Sequence, residues 1–314
     1  MLRVSQFDTN NLEEVTVESM DFNKLKWLDC ENPSKEELQK IKNLINIPSV
    51  ELERCVDEDE RPSITELENF SMLIFKSPLM ENEEISASSF SILISENLLI
   101  TIRKRAVNGV EKIWDLEYEN KKKFFKKGST YLTYQILEKV MDDYFSILDH
   151  VEKDIDKLEN IVFHNPEKKI VKKIFSLKKT LIFFHKALSA NREVLFNIEN
   201  ELTEKIPTSQ IKNFRYVYQD TTQLIDMVAT YRDILTGALD IYLSSMSHNL
   251  NKIMKKMAAF GSLVLVPTFI TGLYGMNFKF MPEIGWEKGY LFAWLLIISS
   301  ILFLYNYFRK NEWF

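Results

Sequence analysis

Lys256-Met257-Ala258-Ala259-Phe260-Gly261-Ser262-Leu263-Val264-Leu265-Val266-Pro267-Thr268-Phe269-Ile270-Thr271-Gly272-Leu273-Tyr274-Gly275-Met276-Asn277-Phe278-Lys279 is the stretch that sets the architecture of this chain. Between Lys256 and Lys279 lie 22 residues without a charge. That is enough for one helix to cross the ~30 Å hydrocarbon core of a bilayer. A second uncharged run, Gly289 to Phe308, follows a short loop and is closed by Arg309 and Lys310. Residues 257–314 therefore read as a two-helix transmembrane region, with spans 257–274 and 289–308 and a connecting loop 275–288. Lys252, Lys255 and Lys256 flank one end of this hairpin and Arg309 and Lys310 the other, whereas Lys279 and Lys288 in the loop are balanced by Glu283 and Glu287. The positive-inside rule places both termini in the cytoplasm and the loop outside.

Stepping back from Thr268 by threes and fours gives Leu265, Gly261, Ala258, Met254, Asn251, Ser247, Ser244 and Asp240; the next step forward is Gly272. This is one stripe of a helix at the 3.5-residue spacing of wrapped helices. A packed seam would carry Leu, Ile or Val. Small residues suit a close helix–helix contact, but they also suit the wall of a narrow pore shared by several copies. Asp240, Asn251 and Thr268 on one line require water, an ion or each other.

Gly275-Met276-Asn277, placed after an apolar helix with Tyr274 before it and Phe278 behind it, resembles the signature of the CorA family of magnesium transporters. Lys279-Phe280-Met281-Pro282-Glu283 is similar to the family's short external loop, and Arg232-Asp233-Ile234-Leu235-Thr236-Gly237-Ala238-Leu239-Asp240 to its pore-helix start. Arg61-Pro62 and the strands after it extend the resemblance. It implies a funnel-shaped homopentamer, with Gly275, Met276 and Asn277 as the outer selectivity motif. Further in, Thr268, Asn251 and Asp240 would form polar rings, and Met254, Met257, Ala258 and Leu265 an apolar constriction that gates by size and dewetting. Ordinary helix packing is the alternative for the two methionines. Asn277 and Asp240 are the expected contacts of the passing ion, and Glu283 and Glu287 would gather cations at the mouth, blunted by Lys279 and Lys288.

The resemblance also implies a cytoplasmic Mg2+-sensing site between subunits. Here the chain departs from the family: Tyr216 stands where well-known members carry an acidic residue, which leaves Asp220, Asp226 and Asp233 as candidates. The C-terminal basic cluster is reduced to Arg309-Lys310. Mg2+ is the expected cargo and regulatory ion, with Co2+, Ni2+ or Zn2+ as alternatives. Met276 favours the magnesium branch, since the zinc-exporting relatives carry Ile there. A membrane-anchored sensor or scaffold that transports nothing is the rival from another class. The lipid bilayer and further copies of the chain are expected partners; nucleic acid is not.

Hydrophobic residues make up 46% and charged residues 27% of the 314, a mixture that suits roughly 250 residues outside a membrane and about 60 within it. Met1 to Asp8 have no apolar h-region, so no signal peptide is expected. Cys30 and Cys55 make no metal or disulfide framework. None of the four histidines stands in a zinc motif, and no glycine-rich phosphate loop is present, so neither an enzyme nor an ATPase is expected.

The fold class is α+β: a soluble N-terminal domain, long α-helices and the two-helix membrane region. Residues 1–128 are expected to form a cytoplasmic α/β domain. Strands are expected at Leu2 to Phe7, Lys26 to Asp29, Phe70 to Lys76, Ser89 to Ser95 and Leu98 to Arg103, the last two joined at Glu96-Asn97. Ser34 with Glu37 forms a capping box for a helix to about Leu44, and Ser49 caps another through Cys55. Asp57-Glu58-Asp59-Glu60 reads as a solvated turn in preference to a metal site. Residues 108–128 read as a helix and connector. Residues 129–256 are helical: Ser129 to His164, a break at Asn165-Pro166, a lysine-rich helix to about Leu202, and after Pro207 one helix from Thr208 to Gly272. The first two should pack antiparallel. The third would be about 100 Å long, so motion of its cytoplasmic half would move the pore lining. Pro267 is the expected site of a kink.

Overall fold

Unbroken apolar runs, instead of alternating ones, build the centre of the sheet, because both of its faces are covered. The computed structural model describes residues 2–8, 11–21, 23–81, 84–164, 168–200, 203–283 and 285–313. Seven strands lie side by side in the order β2 (Asn11–Val15), β1 (Leu2–Asp8), β3 (Leu25–Glu31), β7 (Leu98–Arg103), β6 (Glu84–Ile94), β5 (Ser71–Glu81) and β4 (Ser63–Glu66). Neighbours are antiparallel except β3 and β7, which run parallel with Leu28 opposite Ile100. Every residue of β7 is buried. One face packs Leu28, Ile74, Leu93 and Ile100 against α1 (Lys35–Ile45) and α2 (Ser49–Val56) through Ile41, Leu52 and Cys55.

The five expected strands are present, and β2 and β4 add two more. Both are short, polar and at the sheet's edges, so they carry no apolar run. The Ser34 capping box is formed: Ser34 Oγ accepts the Glu37 amide at 3.2 Å, and Glu37 accepts the Ser34 amide at 2.8 Å. Ser49 does not cap α2. Pro48 occupies the cap position without a side-chain bond, and Ser49 is the first helical residue, its hydroxyl 2.6 Å from Lys42 Nζ. Two short helices, α3 (Asn108–Trp114) and α4 (Tyr118–Phe125), occupy the segment where one was expected.

β4 ends opposite Ile74, leaving the last part of β5 as a free edge. At Lys76 the buried Asn191 side chain closes it, accepting the Lys76 amide and donating to its carbonyl, each at 2.8 Å. Two residues on, Pro78 has no amide to offer, so a further strand cannot add there.

The long helices are α5 (Ser129–His164), α6 (Lys168–Glu199) and α7 (Thr208–Tyr274). Asp154 pairs with Lys173 at 3.0 Å and Tyr144 meets Phe184 at 5.0 Å, so α5 and α6 run antiparallel. Glu199–Arg215 at 2.8 Å and Lys178–Thr236 at 2.8 Å make α7 antiparallel to α6. Phe214, Val217, Thr221, Leu224, Val228, Tyr231, Leu235 and Ala238 form the buried seam of α7, at steps of three and four. The expected break at Asn165-Pro166 and the end near Leu202 lie outside the described residues. By contacts the chain divides into two compact units, Met1–Ile161 with Glu167–Ala238, and Val162–Pro166 with Leu239–Phe314.

Candidate functional site

Beyond Leu239, α7 is exposed on nearly all sides. Phe260, Val264, Leu265 and Phe269 are each at least 60% exposed. In α8 (Gly289–Lys310), Leu291, Leu295 and Phe303 are similarly bare. Leaving a large apolar side chain in water forgoes about 1.5–3 kcal/mol, so a bilayer or other copies must cover these faces. Both helices are long and apolar enough to cross a membrane. Trp286, Tyr290 and Trp294 gather at the loop end, and Tyr305, Tyr307 and Trp313 at the other, as interfacial girdles do.

The α7 terminus is closed by the Gly275 amide on the Thr271 carbonyl at 2.9 Å and the Met276 amide on Leu273 at 3.3 Å. Asn277 follows, exposed, its carboxamide without a partner among the described residues. The chain turns back where the Gly289 amide meets the Trp286 carbonyl at 2.9 Å. A Cβ at Gly289 would collide with the Glu283 carbonyl oxygen, so this turn requires glycine. Glu283 and Glu287 stand exposed in the loop.

The stripe is exposed throughout: Asp240, Ser244, Ser247, Asn251, Met254, Ala258, Gly261, Leu265, Thr268 and Gly272. Thr268 bonds its own helix, donating to the Val264 carbonyl at 2.8 Å. A Cβ on Gly261 or Gly272 would meet open space, so neither glycine is there for contact within this chain. Met257 stands apart from the stripe, on the flank with Leu250 and Val264. Stepping back from Asp240 by sevens reaches Asp233 and Asp226, both exposed, and the interleaved positions Gly237, Thr230, Gln223 and Tyr216 are exposed as well. This upstream continuation was missed in the sequence, although the heptad step alone would have found it.

Asp220 is off that line. It is half-buried, and burial together with the nearby carboxylates Glu138 and Asp142 raises its pKa. The native state therefore holds this proton more tightly than the unfolded chain, and stability falls as pH rises through the titration. Asp220→Asn should raise the melting temperature at pH 7 in chelator-containing buffer. The gain should vanish below about pH 3, where the carboxyl is protonated in both states. A gain that persists there would assign the effect to packing. In the acidic turn, Glu58 pairs with Lys104 at 3.2 Å and Arg105 at 3.1 Å, and Glu60 with Arg54 at 3.0 Å. Among the described residues no group of three or more His, Cys, Asp and Glu could hold a metal ion.

Residues 22–310 match the family described as CorA-like Mg2+ transporter protein. This chain belongs to that family. The cobalt/magnesium transport protein CorA of Methanocaldococcus jannaschii is 35% identical over 96% of this chain and 94% of its own length. Its counterpart from Thermotoga maritima is 29% identical over 98% and 88%. The complete structure of the M. jannaschii CorA magnesium transporter superposes with a TM-score of 0.91 at 33% identity, covering 100% of this chain and 99% of that one. The full-length CmaX protein, at 14% identity and a TM-score of 0.78, shares the fold. As a CorA-type protein the chain is a membrane transporter for divalent cations, not an enzyme, and its two apolar C-terminal helices are the membrane part.

Proposed function

We propose that this chain assembles as a homopentamer around the α7 stripe and conducts Mg2+ inward through the pore so formed, with both termini in the cytoplasm. The exposed stripe carries this reading: α7 buries one seam within its own chain and leaves the opposite, largely polar and small-residue line bare along its length. Mg2+ sheds water reluctantly. Five Asn277 carboxamides at the mouth would accept hydrogen bonds from the hydrated ion without stripping it. The C-terminal end of each α7 adds a partial negative charge at the same place. Further in, Thr268, Asn251 and Asp240 present polar rings, and Met254, Ala258 and Leu265 a narrow apolar stretch that stops flux by dewetting. An inside-negative potential supplies about 2.3 kcal/mol per charge per 100 mV, so no other energy source is needed. Cytoplasmic Mg2+ would hold the pore shut through carboxylates of the α7 stalk, with Asp226 and Asp233 facing the axis. Co2+ is the second cargo, following the names of the relatives.

Purified protein in liposomes, loaded with a Mg2+-sensitive dye and held inside-negative, tests the proposal. Uptake should rise with the imposed potential and fall when Co2+ competes. A protein that folds and inserts yet admits no divalent ion at any potential is a sensor or scaffold, and its stripe is a packing surface.

A further inference from the structure

A cavity of about 940 Å³ lies between the sheet and α6. Pockets that hold small molecules span roughly 300–1,000 Å³. β5 contributes Lys76 and Leu79 to its wall, β6 Ser88, and α6 Phe183 and Lys186. Arg61 pairs with Glu193 at 2.8 Å and Arg105 with Glu58 at 3.1 Å, so these charges in the wall are already matched. Lys76 is half-buried, and among the described residues its ammonium meets only the Glu58 carbonyl, at 3.3 Å. Burial holds its pKa below the usual lysine range although Asp59, Asp57 and Glu60 lie near. Those carboxylates therefore do not make up for the water the ammonium has lost. Ser88 is 5% exposed, and its hydroxyl has no hydrogen-bond partner among the described residues. Buried polar groups are normally paired, so two donors in this wall lack an acceptor.

We propose that this cavity binds a small aromatic carboxylate. Lys76 from β5 and Ser88 from β6 supply donors for the carboxylate. Lys186, exposed and without a partner among the described residues, adds a second free cation from α6. Set against the three carboxylates of the wall, Glu58, Asp59 and Glu193, its four cations Arg61, Lys76, Arg105 and Lys186 leave one positive charge over. That surplus matches a carboxylate and not a phosphate dianion. Leu79, Ala87, Ala187 and Ala190 make the remainder of the wall apolar. Phe183 is 41% exposed and lines the same space, so its ring is free to stack on an aromatic body. An occupant held by Lys76 and Lys186 ties β5 to α6. Glu199–Arg215 and Lys178–Thr236 in turn join α6 to α7, which links the cavity to the stalk of the transporter.

The test is fluorine NMR line broadening of 4-fluorobenzoate by the full-length protein in detergent, with protein-free detergent as the blank. 4-Fluorobenzamide serves as the neutral control and inorganic phosphate as a competitor. A hydrogen bond to a charged group is the stronger kind, so Lys76→Met should weaken 4-fluorobenzoate binding about tenfold or more. Ser88→Ala should weaken it about fivefold, and Lys186→Gln about threefold. Lys172→Gln, exposed on α6 outside the cavity, should leave it unchanged. Lys186 is exposed, so its variant reports on the site even where a change at half-buried Lys76 disturbs folding. Broadening no greater than that of the blank overturns the proposal, as does equal binding of the amide or equal binding by wild type and all three cavity variants. Displacement by an equal concentration of inorganic phosphate also overturns it, by making the cavity a site for bare anions.

Discussion

Vesicles carrying the Asn277→Ala protein should take up Mg2+ about a hundredfold more slowly than vesicles carrying the wild type. Asn277 is exposed, directly after the terminus of α7, and its carboxamide binds nothing else among the described residues. Removing it therefore costs the fold almost nothing, and assembly should be unchanged by size-exclusion chromatography. On the proposed reading, what is lost is one acceptor per copy for the waters of the approaching ion. A net hydrogen bond is worth about 1 kcal/mol, and a hundredfold fall in rate needs only ~2.7 kcal/mol. In the proposed pentamer a ring of five such groups would exceed that even if its members were far from additive. Asn277→Gln keeps the carboxamide but moves it outward by one methylene, so it should fall between the two. Asn277→Ala uptake within twofold of wild type, at equal protein per vesicle, would remove Asn277 from the ion path and leave the polar rings deeper in α7 to set selectivity.

The membrane hairpin and the family were legible because their signals are one-dimensional. Twenty-two residues without a charge and a motif at a fixed place need no knowledge of the partner strand or helix. The stripe was legible for the same reason, since a seven-residue step shows on the page as it does on the helix. What escaped depends on contacts across the chain. β2 offers Glu13 and Glu14 and β4 only four residues, so neither carries an apolar run. Asn191 looks like an ordinary polar position on α6, yet it is buried and closes the free edge of β5 115 residues away. The C-terminal residues read as a thin basic collar. Yet Asn311 to Trp313 turn back on α8, the Trp313 amide donating to the Phe308 carbonyl at 3.0 Å, through a left-handed backbone at Glu312, a conformation that no composition rule assigns to glutamate. Asp29 and Arg103 are the sharpest case. Charged residues at strand positions suggest a face in water, but both side chains are wholly buried, because they meet each other.

That pair carries the largest expected effect on stability. Asp29 accepts from Arg103 Nη2 at 2.9 Å, Arg103 Nε at 3.3 Å, Arg3 Nε at 2.9 Å and Thr101 Oγ1 at 2.5 Å. Trp27 Nε1 donates to the same threonine at 3.0 Å. Arg103 and Arg3 also reach Glu111 on α3, so the cluster fastens β1, β3 and β7 to that helix. Asp29→Ala removes the one fully buried carboxylate beside Arg103 and leaves its buried guanidinium with only the partly exposed Glu31 and Glu111. Breaking a buried pair in this way costs about 3–5 kcal/mol, a loss that should lower the melting temperature of the purified protein by roughly 6–20 °C. Arg3 should suffer less, since its side chain is 20% exposed and keeps Glu111 at 2.8 Å. The cost belongs to the stranded charge more than to the lost attraction. Asp29→Leu combined with Arg103→Met should therefore recover most of the loss, because a matched apolar pair needs no desolvation of ions. If the double variant melts as low as Asp29→Ala alone, the network stabilises the sheet through its hydrogen bonds to Thr101 and Arg3 and not through neutralisation of Arg103.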